Sequence, residues 1–93
     1  WNGGRAHFGD AFTYLVAGGG FKGGCVVGKT DEKGEKVIER PVYPCDLIGS
    51  IYTLMGIDPK GTLPHPAYGN LPLMPSMGQP KQSAGILTEL FKF

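Results

Sequence analysis

The sequence predicts a chain of mixed α and β structure, strands first and one helix after them, that needs a larger body to lie against. Three observations predict it. Short apolar runs precede residue 40, cut apart by glycine clusters. One segment, residues 44–55, carries apolar side chains at helical spacing. Gly 16 and Pro 8 in 93 residues, with no G-X-Y period, mark a loop-rich chain rather than a collagen. Ordering such a chain costs ~1–2 kcal/mol per residue of backbone entropy. It is therefore expected to dock on a larger body or to be the C-terminal part of one.

Residues 1–10 read as a loop. Residues 11–17, Ala-Phe-Thr-Tyr-Leu-Val-Ala, fit a mostly buried strand. Gly18, Gly19 and Gly20 end it, and after Gly23 and Gly24 residues 25–29 read as a short second strand. Residues 30–34 form a polar turn in which Gly34 is free to take positive φ. Residues 36–39 suit a brief edge strand that stops before Pro41.

The helix follows over residues 44–55. Pro44 suits its first position, where the missing N–H has no partner to lose, and Asp46 places a negative charge among the unpaired N–H groups of the first turn. Leu47, Ile48, Ile51, Leu54 and Met55 mark the packing face, while Gly49 and Ser50 leave room for close approach on the other side. Gly56 is the expected stop and Pro59 blocks continuation. Beyond Ile57, prolines 59, 64, 66, 72, 75 and 80 describe a long irregular arm, of a length that suits wrapping a partner surface. Residues 86–91 close the chain with a short helical turn or strand, and Phe91 and Phe93 are offered for packing.

Charge and apolar patterning exclude two partners. Nine Lys/Arg against eight Asp/Glu are interspersed, with no basic stripe to neutralise a phosphate backbone, so nucleic acid is not expected. The longest apolar run is the four residues 14–17, too short for a transmembrane segment. Cys25 and Cys45 could pair, but two buried thiols are the favoured reading. Residues 23–30 fit the letters G-x-x-x-x-G-K-[ST], yet Cys25-Val26-Val27 is strand-like and no helix follows Thr30, as a phosphate loop requires. The glycines Gly18, Gly19, Gly20, Gly23 and Gly24 are read as structural, turning the chain tightly between paired strands.

Several strings recur in a fixed order: Gly-Arg-Ala-His-Phe-Gly at 4–9, Leu-Val-Ala-Gly-Gly-Gly-Phe-Lys-Gly-Gly at 15–24, and Val-Val-Gly-Lys-Thr-Asp at 26–31. Residues 39–47 and 51–58 continue the series. Together they resemble the C-terminal end of the DUF1501 family over roughly residues 3–75, mostly secreted bacterial proteins related to sulfatases and the alkaline phosphatase superfamily. The resemblance implies an α/β fold of several hundred residues around a mixed sheet. Residues 1–58 would supply its last strands and a helix, and residues 59–93 a Pro-rich surface arm and tail. It also implies export, to the periplasm or beyond, with any leader carried by an upstream part of the same protein.

The same resemblance suggests chemistry. The family pattern at the first loop is Gly-Arg-Asp-His followed by an aromatic; Gly4, Arg5, His7 and Phe8 match, and Ala6 stands where Asp is expected. His7 corresponds to a metal-ligating histidine of phosphatase-like sites, for a divalent metal (Zn, Ca or Mg), and could bind through an imidazole nitrogen. Arg5 could hold an anionic group by a two-pronged contact and is the one catalytic candidate in the chain. The bland alternatives are a loop histidine bonded to backbone and an arginine shaping the loop. Ala6 removes either a ligand or the acceptor that would orient His7. Two functions are thus expected in competition: metal-dependent hydrolysis of sulfate or phosphate esters, or a non-catalytic scaffold or small wrapping subunit that keeps the fold alone.

Overall fold

The structure is a computed structural model that describes Gly3, residues 7–74, Ser83 and residues 85–92. Its elements are β1 (Lys29–Thr30), β2 (Val37–Glu39), α1 (Pro44–Leu54), β3 (Thr62–His65), β4 (Gly69–Pro72) and a 3-10 turn (Thr88–Leu90). The strands form two separate antiparallel pairs, β1 with β2 and β3 with β4. The class is a mixed α/β arrangement of one helix and two small sheets.

The first pair is made by its turn. Asp31 accepts the Glu35 N–H on its carboxylate at 2.9 Å and the Gly34 N–H on its carbonyl at 3.1 Å, with Gly34 at φ 69. Lys29 then faces Glu39 and Thr30 faces Val37, with an irregularity between them. The strand expected over residues 25–29 is therefore shorter and later than its apolar letters suggest. Its partner runs out: Arg40 takes φ 41 and Pro41 has no N–H, so nothing continues the ladder opposite Cys25, Val26 and Val27. Gly28, at φ 88, passes so close to Arg40 that a Cβ there would stand 3.0 Å from its carbonyl oxygen.

The buried strand expected over residues 11–17 is not formed. Those residues join no ladder among the described residues, and Leu15 is 96% exposed. Phe12 and Tyr14, the aromatics of that run, meet edge to face at 5.3 Å and stay half in solvent. A strand with two apolar faces needs neighbouring strands at its sides and a packed layer over each face, and the described residues offer no third strand to either small pair. The glycine run that follows does turn the chain, though not between paired strands: Phe21 N–H reaches Gly18 O at 2.9 Å with Gly19 at φ 60 and Gly20 at φ 95, the two positive angles of a type I′ turn.

Helix α1 starts and stops where its sequence signals place it. Pro44 is its first residue and Asp46 accepts the Tyr43 N–H at 3.0 Å. At the far end Gly56 takes φ 81, the Gly56 N–H bonds Thr53 O at 3.1 Å and the Ile57 N–H bonds Tyr52 O at 2.8 Å, the paired bonds of a Schellman stop. The packing face is the surprise. Cys45, Asp46, Gly49 and Ser50 are buried, whereas Ile51 and Met55 are exposed and Leu47, Ile48 and Leu54 only half-covered. The small, polar side is inside, and the apolar stripe lies toward solvent.

The arm is not wholly irregular. Thr62 to His65 pair with Pro72 to Gly69, joined by a turn at residues 66–68, and Leu73 N–H extends the ladder to Gly61 O at 3.0 Å. Pro64 and Pro72 are tolerated because each strand has only one neighbour, leaving an edge where no N–H is required. The last described stretch returns to α1. The Phe21–Phe91 bridge and the Lys22 N–H bond to Leu90 O at 2.6 Å seat it beside the glycine turn. Among the described residues, Leu87, Leu90 and Phe91, with Cys45, are the buried apolar side chains.

Candidate functional site

His7 lies in coil and is exposed, as are its neighbours Phe8, Gly9 and Asp10. Arg5 and Ala6 lie outside the described residues. Gly18, Gly19, Gly20 and Gly24 all take positive φ, between 60° and 95°, and Gly23 is exposed in the bend it shares with Gly24. The turn touches α1 through Gly20, where a Cβ would stand 3.1 Å from Leu54 Cδ2. Residues 23–30 run from coil into β1 and then a turn, with no helix to receive a phosphate. Among the described residues no three His, Cys, Asp or Glu side chains come together as a metal nest, so further ligands for His7 would have to come from other residues.

The structure gathers polar groups elsewhere, at the start of α1. Asp46 is 2% exposed, yet each carboxylate oxygen is occupied: Oδ2 by the Tyr43 N–H, Oδ1 by the Ser83 hydroxyl and, at 3.7 Å, the Cys45 thiol. The Ser83 oxygen in turn accepts the Gly85 N–H at 3.2 Å. One turn along the helix, Ser50 is fully buried; its hydroxyl donates to Asp46 O at 2.6 Å and accepts the Leu87 N–H at 2.7 Å. A buried charge is tolerable only when paired or hydrogen-bonded in this way. Asp46 thus does more than start the helix, because it also holds the returning segment.

A second fastening lies at Arg40. Its guanidinium grips Glu89 with two prongs, Nε to Oε2 at 2.7 Å and Nη2 to Oε1 at 3.1 Å. It also donates to the carbonyls of Ile86 at 3.2 Å, Gly85 at 3.4 Å and Pro41 at 3.3 Å. The Arg40 hydrogen bond holds the Glu89 carboxyl down at about 2, and Glu89 in turn raises Arg40. Beside these groups a cleft of about 550 Å³ opens between α1, the foot of the hairpin and the returning segment, lined among others by Cys45, Asp46, Gly49, Lys60, Met74 and Ile86. Both cysteines are free thiols; Cys45 is buried as expected, but Cys25 is exposed because the ladder that would cover it never forms. His65 sits at the hairpin end, its Nδ1 accepting the Ala67 N–H at 3.1 Å and its ring stacked on Tyr68 at 4.9 Å.

Sequence reading missed Arg40, Ser50, Ser83 and Glu89. Only Ser50 carried a signal, as the small neighbour of Gly49 opposite the apolar stripe. Arg40 and Glu89 are 49 positions apart, and no local spacing announces a pair that far removed. Described helices include none long and apolar enough to cross a membrane. No curated protein and no solved structure matches the chain significantly. Residues 1–76 match the family described as protein of unknown function (DUF1501), more than three quarters of the chain. The chain belongs to the DUF1501 family.

Proposed function

We propose that this chain completes the fold of a sulfatase/phosphatase-like DUF1501 protein, as the last strands and helix of an α/β body, and that the whole hydrolyses sulfate or phosphate esters with a divalent metal. The observation that supports it is the inverted exposure of the apolar residues. Phe8, Phe12 and Leu15 face solvent in the segment that carries His7, and so do Val26 beyond the glycine turn and Ile51 and Met55 on α1. Covering apolar surface of this kind is worth ~25 cal/mol per Å², a gain that a larger body lying against these side chains would supply. His7 would then be carried onto the parent body beside ligands from upstream residues.

An imidazole nitrogen suits Zn²⁺ better than Ca²⁺ or Mg²⁺, which prefer oxygen donors. His7 would help to hold the metal, whose contribution would be Lewis-acid polarisation of the ester, and Arg5 would steady the anion. The competing reading is a scaffold that keeps the fold without the chemistry, and Ala6 in place of the family's Asp favours it. Metal analysis of the intact protein separates the two. One equivalent of bound zinc, lost in His7→Ala with thermal stability otherwise kept, supports the hydrolase. A protein that takes up no metal after zinc loading, or whose metal content ignores His7→Ala, overturns it.

A further inference from the structure

The hairpin of β3 and β4 is a two-stranded ladder, so each strand has one outer edge with no neighbouring strand among the described residues. Which backbone groups face out follows from the register. Thr62 stands opposite Pro72, Leu63 opposite Leu71, and Pro64 opposite Asn70. The Leu73 N–H bonds Gly61 O at 3.0 Å, which makes residues 61 and 73 a hydrogen-bonded pair. Pairs of an antiparallel ladder alternate, so Leu63 and Leu71 also turn their N–H groups inward. Positions 62 and 64 of β3, and 70 and 72 of β4, turn outward. Proline occupies one outward position on each strand, Pro64 on β3 and Pro72 on β4. The ladder forbids proline at the inward positions but demands none at the outward ones. Each outer edge thus keeps a single ladder N–H, that of Thr62 on one side and of Asn70 on the other.

We propose that Pro64 and Pro72 close both edges of this hairpin against backbone pairing with a second copy of this chain. An edge strand is a ready template for another strand, and the hazard grows with apolar side chains beside it. Here Leu63 and Leu71 stand opposite each other on the ladder and are exposed, as is Tyr68 in the turn. A second copy laid along β3 would meet the N–H of Thr62. Where the next donor is due it would meet a pyrrolidine ring, which offers no hydrogen and fills the space of the incoming carbonyl. The same holds along β4 at Asn70 and Pro72. A two-fold contact would repeat the defect, because each copy brings the same edge to it. The apolar pair therefore stays uncovered without recruiting strands. Position, rather than proline content, closes the edge: a proline at another outward position of the same strand serves equally well.

Replacing one proline opens one edge, and the outcome is read amide by amide in the full chain. Pro64→Thr restores a donor to β3. As protein concentration rises, the Thr62 N–H of that variant should exchange about tenfold more slowly than in the unmodified chain, the scale of one or two added backbone bonds. Its Asn70 N–H should be unaffected. Pro72→Thr should do the reverse, slowing Asn70 and sparing Thr62. Sedimentation velocity should show each variant gaining mass relative to the unmodified chain at equal concentration. Thr62→Pro combined with Pro64→Thr moves the block along the same edge and should return it to the unmodified behaviour, while the inward Leu71 N–H reports that the hairpin is intact. The unmodified chain supplies a test that needs no variant: exchange at Thr62 and Asn70 should not depend on concentration. Slowing of either with concentration in that chain overturns the proposal. So does a folded Pro64→Thr chain that associates no more than the unmodified one, or that shields Asn70 in place of Thr62. Association of the double variant as strong as that of Pro64→Thr overturns it as well.

Discussion

Two helix hydroxyls, Ser50 and Thr53, make the same local bond and differ in one contact. Ser50 Oγ donates to the carbonyl four residues back at 2.6 Å, and Thr53 Oγ1 does the same at 2.8 Å. Ser50 alone also accepts, from the Leu87 N–H at 2.7 Å, on a side chain with no exposed surface. Replacing Ser50 by Ala leaves that N–H without a partner at a residue only 3% exposed. A buried unpaired donor costs ~1–3 kcal/mol, and the better helix propensity of Ala returns ~0.5 kcal/mol. The net expectation is a loss of about 0.5–2.5 kcal/mol. Thr53→Ala gains a similar propensity and strands no donor, since the Gly49 carbonyl belongs to the helix ladder, so its effect should stay within about 0.5 kcal/mol. Urea unfolding of the two variants in parallel, with amide exchange at Leu87, makes the comparison. Equal losses would refute the reasoning, because the N–H bridge from Leu87 would then carry no weight.

Further expectations follow from the clamp, the turn and the thiols. Glu89 has its carboxyl lowered from 4.5 to about 2 by the Arg40 hydrogen bond; a depressed acid stabilises the fold fully above its unfolded value and loses that help as pH falls from about 4.5 through about 2. Because the Glu89 side chain is 44% exposed, the loss should be only a fraction of ~1 kcal/mol, and Glu89→Gln should flatten that limb of the melting-temperature profile. Gly28→Ala should destabilise by ~1–3 kcal/mol, since φ 88 is closed to alanine and its Cβ would meet a backbone oxygen at 3.0 Å. Gly24→Ala, strained at φ 73 but with open space around it, should cost about 1 kcal/mol; urea midpoints that rank the two the other way would contradict the close approach to Arg40. With Cys25 and Cys45 both free, melting curves with and without reductant should superimpose.

Local chemistry was legible and distant partnership was not. Pro44, Asp46 and Gly56 each act within one turn of themselves, so helix α1 could be bounded from its letters. The turn at residues 31–34 was readable for the same reason. The run at 11–17 shows where such reading stops. Its composition describes a strand buried on both faces, but burial is a property of the sheet it joins, and the described residues contain no such sheet. The hairpin at residues 62–72 failed in the opposite direction: Pro64 and Pro72 disguised two strands that need only one neighbour each. The candidate site divides likewise. Asp46 was found through its place in the first turn, whereas Arg40 and Glu89 meet only because the chain comes back on itself.

Helix α1 has two faces that solve different problems. Its small polar stripe is matched atom by atom: the Tyr43 N–H, the Ser83 hydroxyl and the Leu87 N–H each find one acceptor. Such bonds contribute only ~0.5–1.5 kcal/mol net apiece, but they fail if the segment shifts by one residue, so they define position. The opposite stripe, with Ile51 and Met55 exposed, has no directional groups and defines nothing except that water should leave it. A helix that stood alone would gain more by turning the second face inward. That it does not is understandable if the two faces answer to different partners, the near one a tail within the chain and the far one the proposed parent body. The consequences are separable. Arg40→Glu should expose Cys45 and leave association with the parent body intact. A charge at Ile51 should weaken that association and leave Cys45 covered; if either substitution produces the other's effect, the two faces are one surface and the division fails.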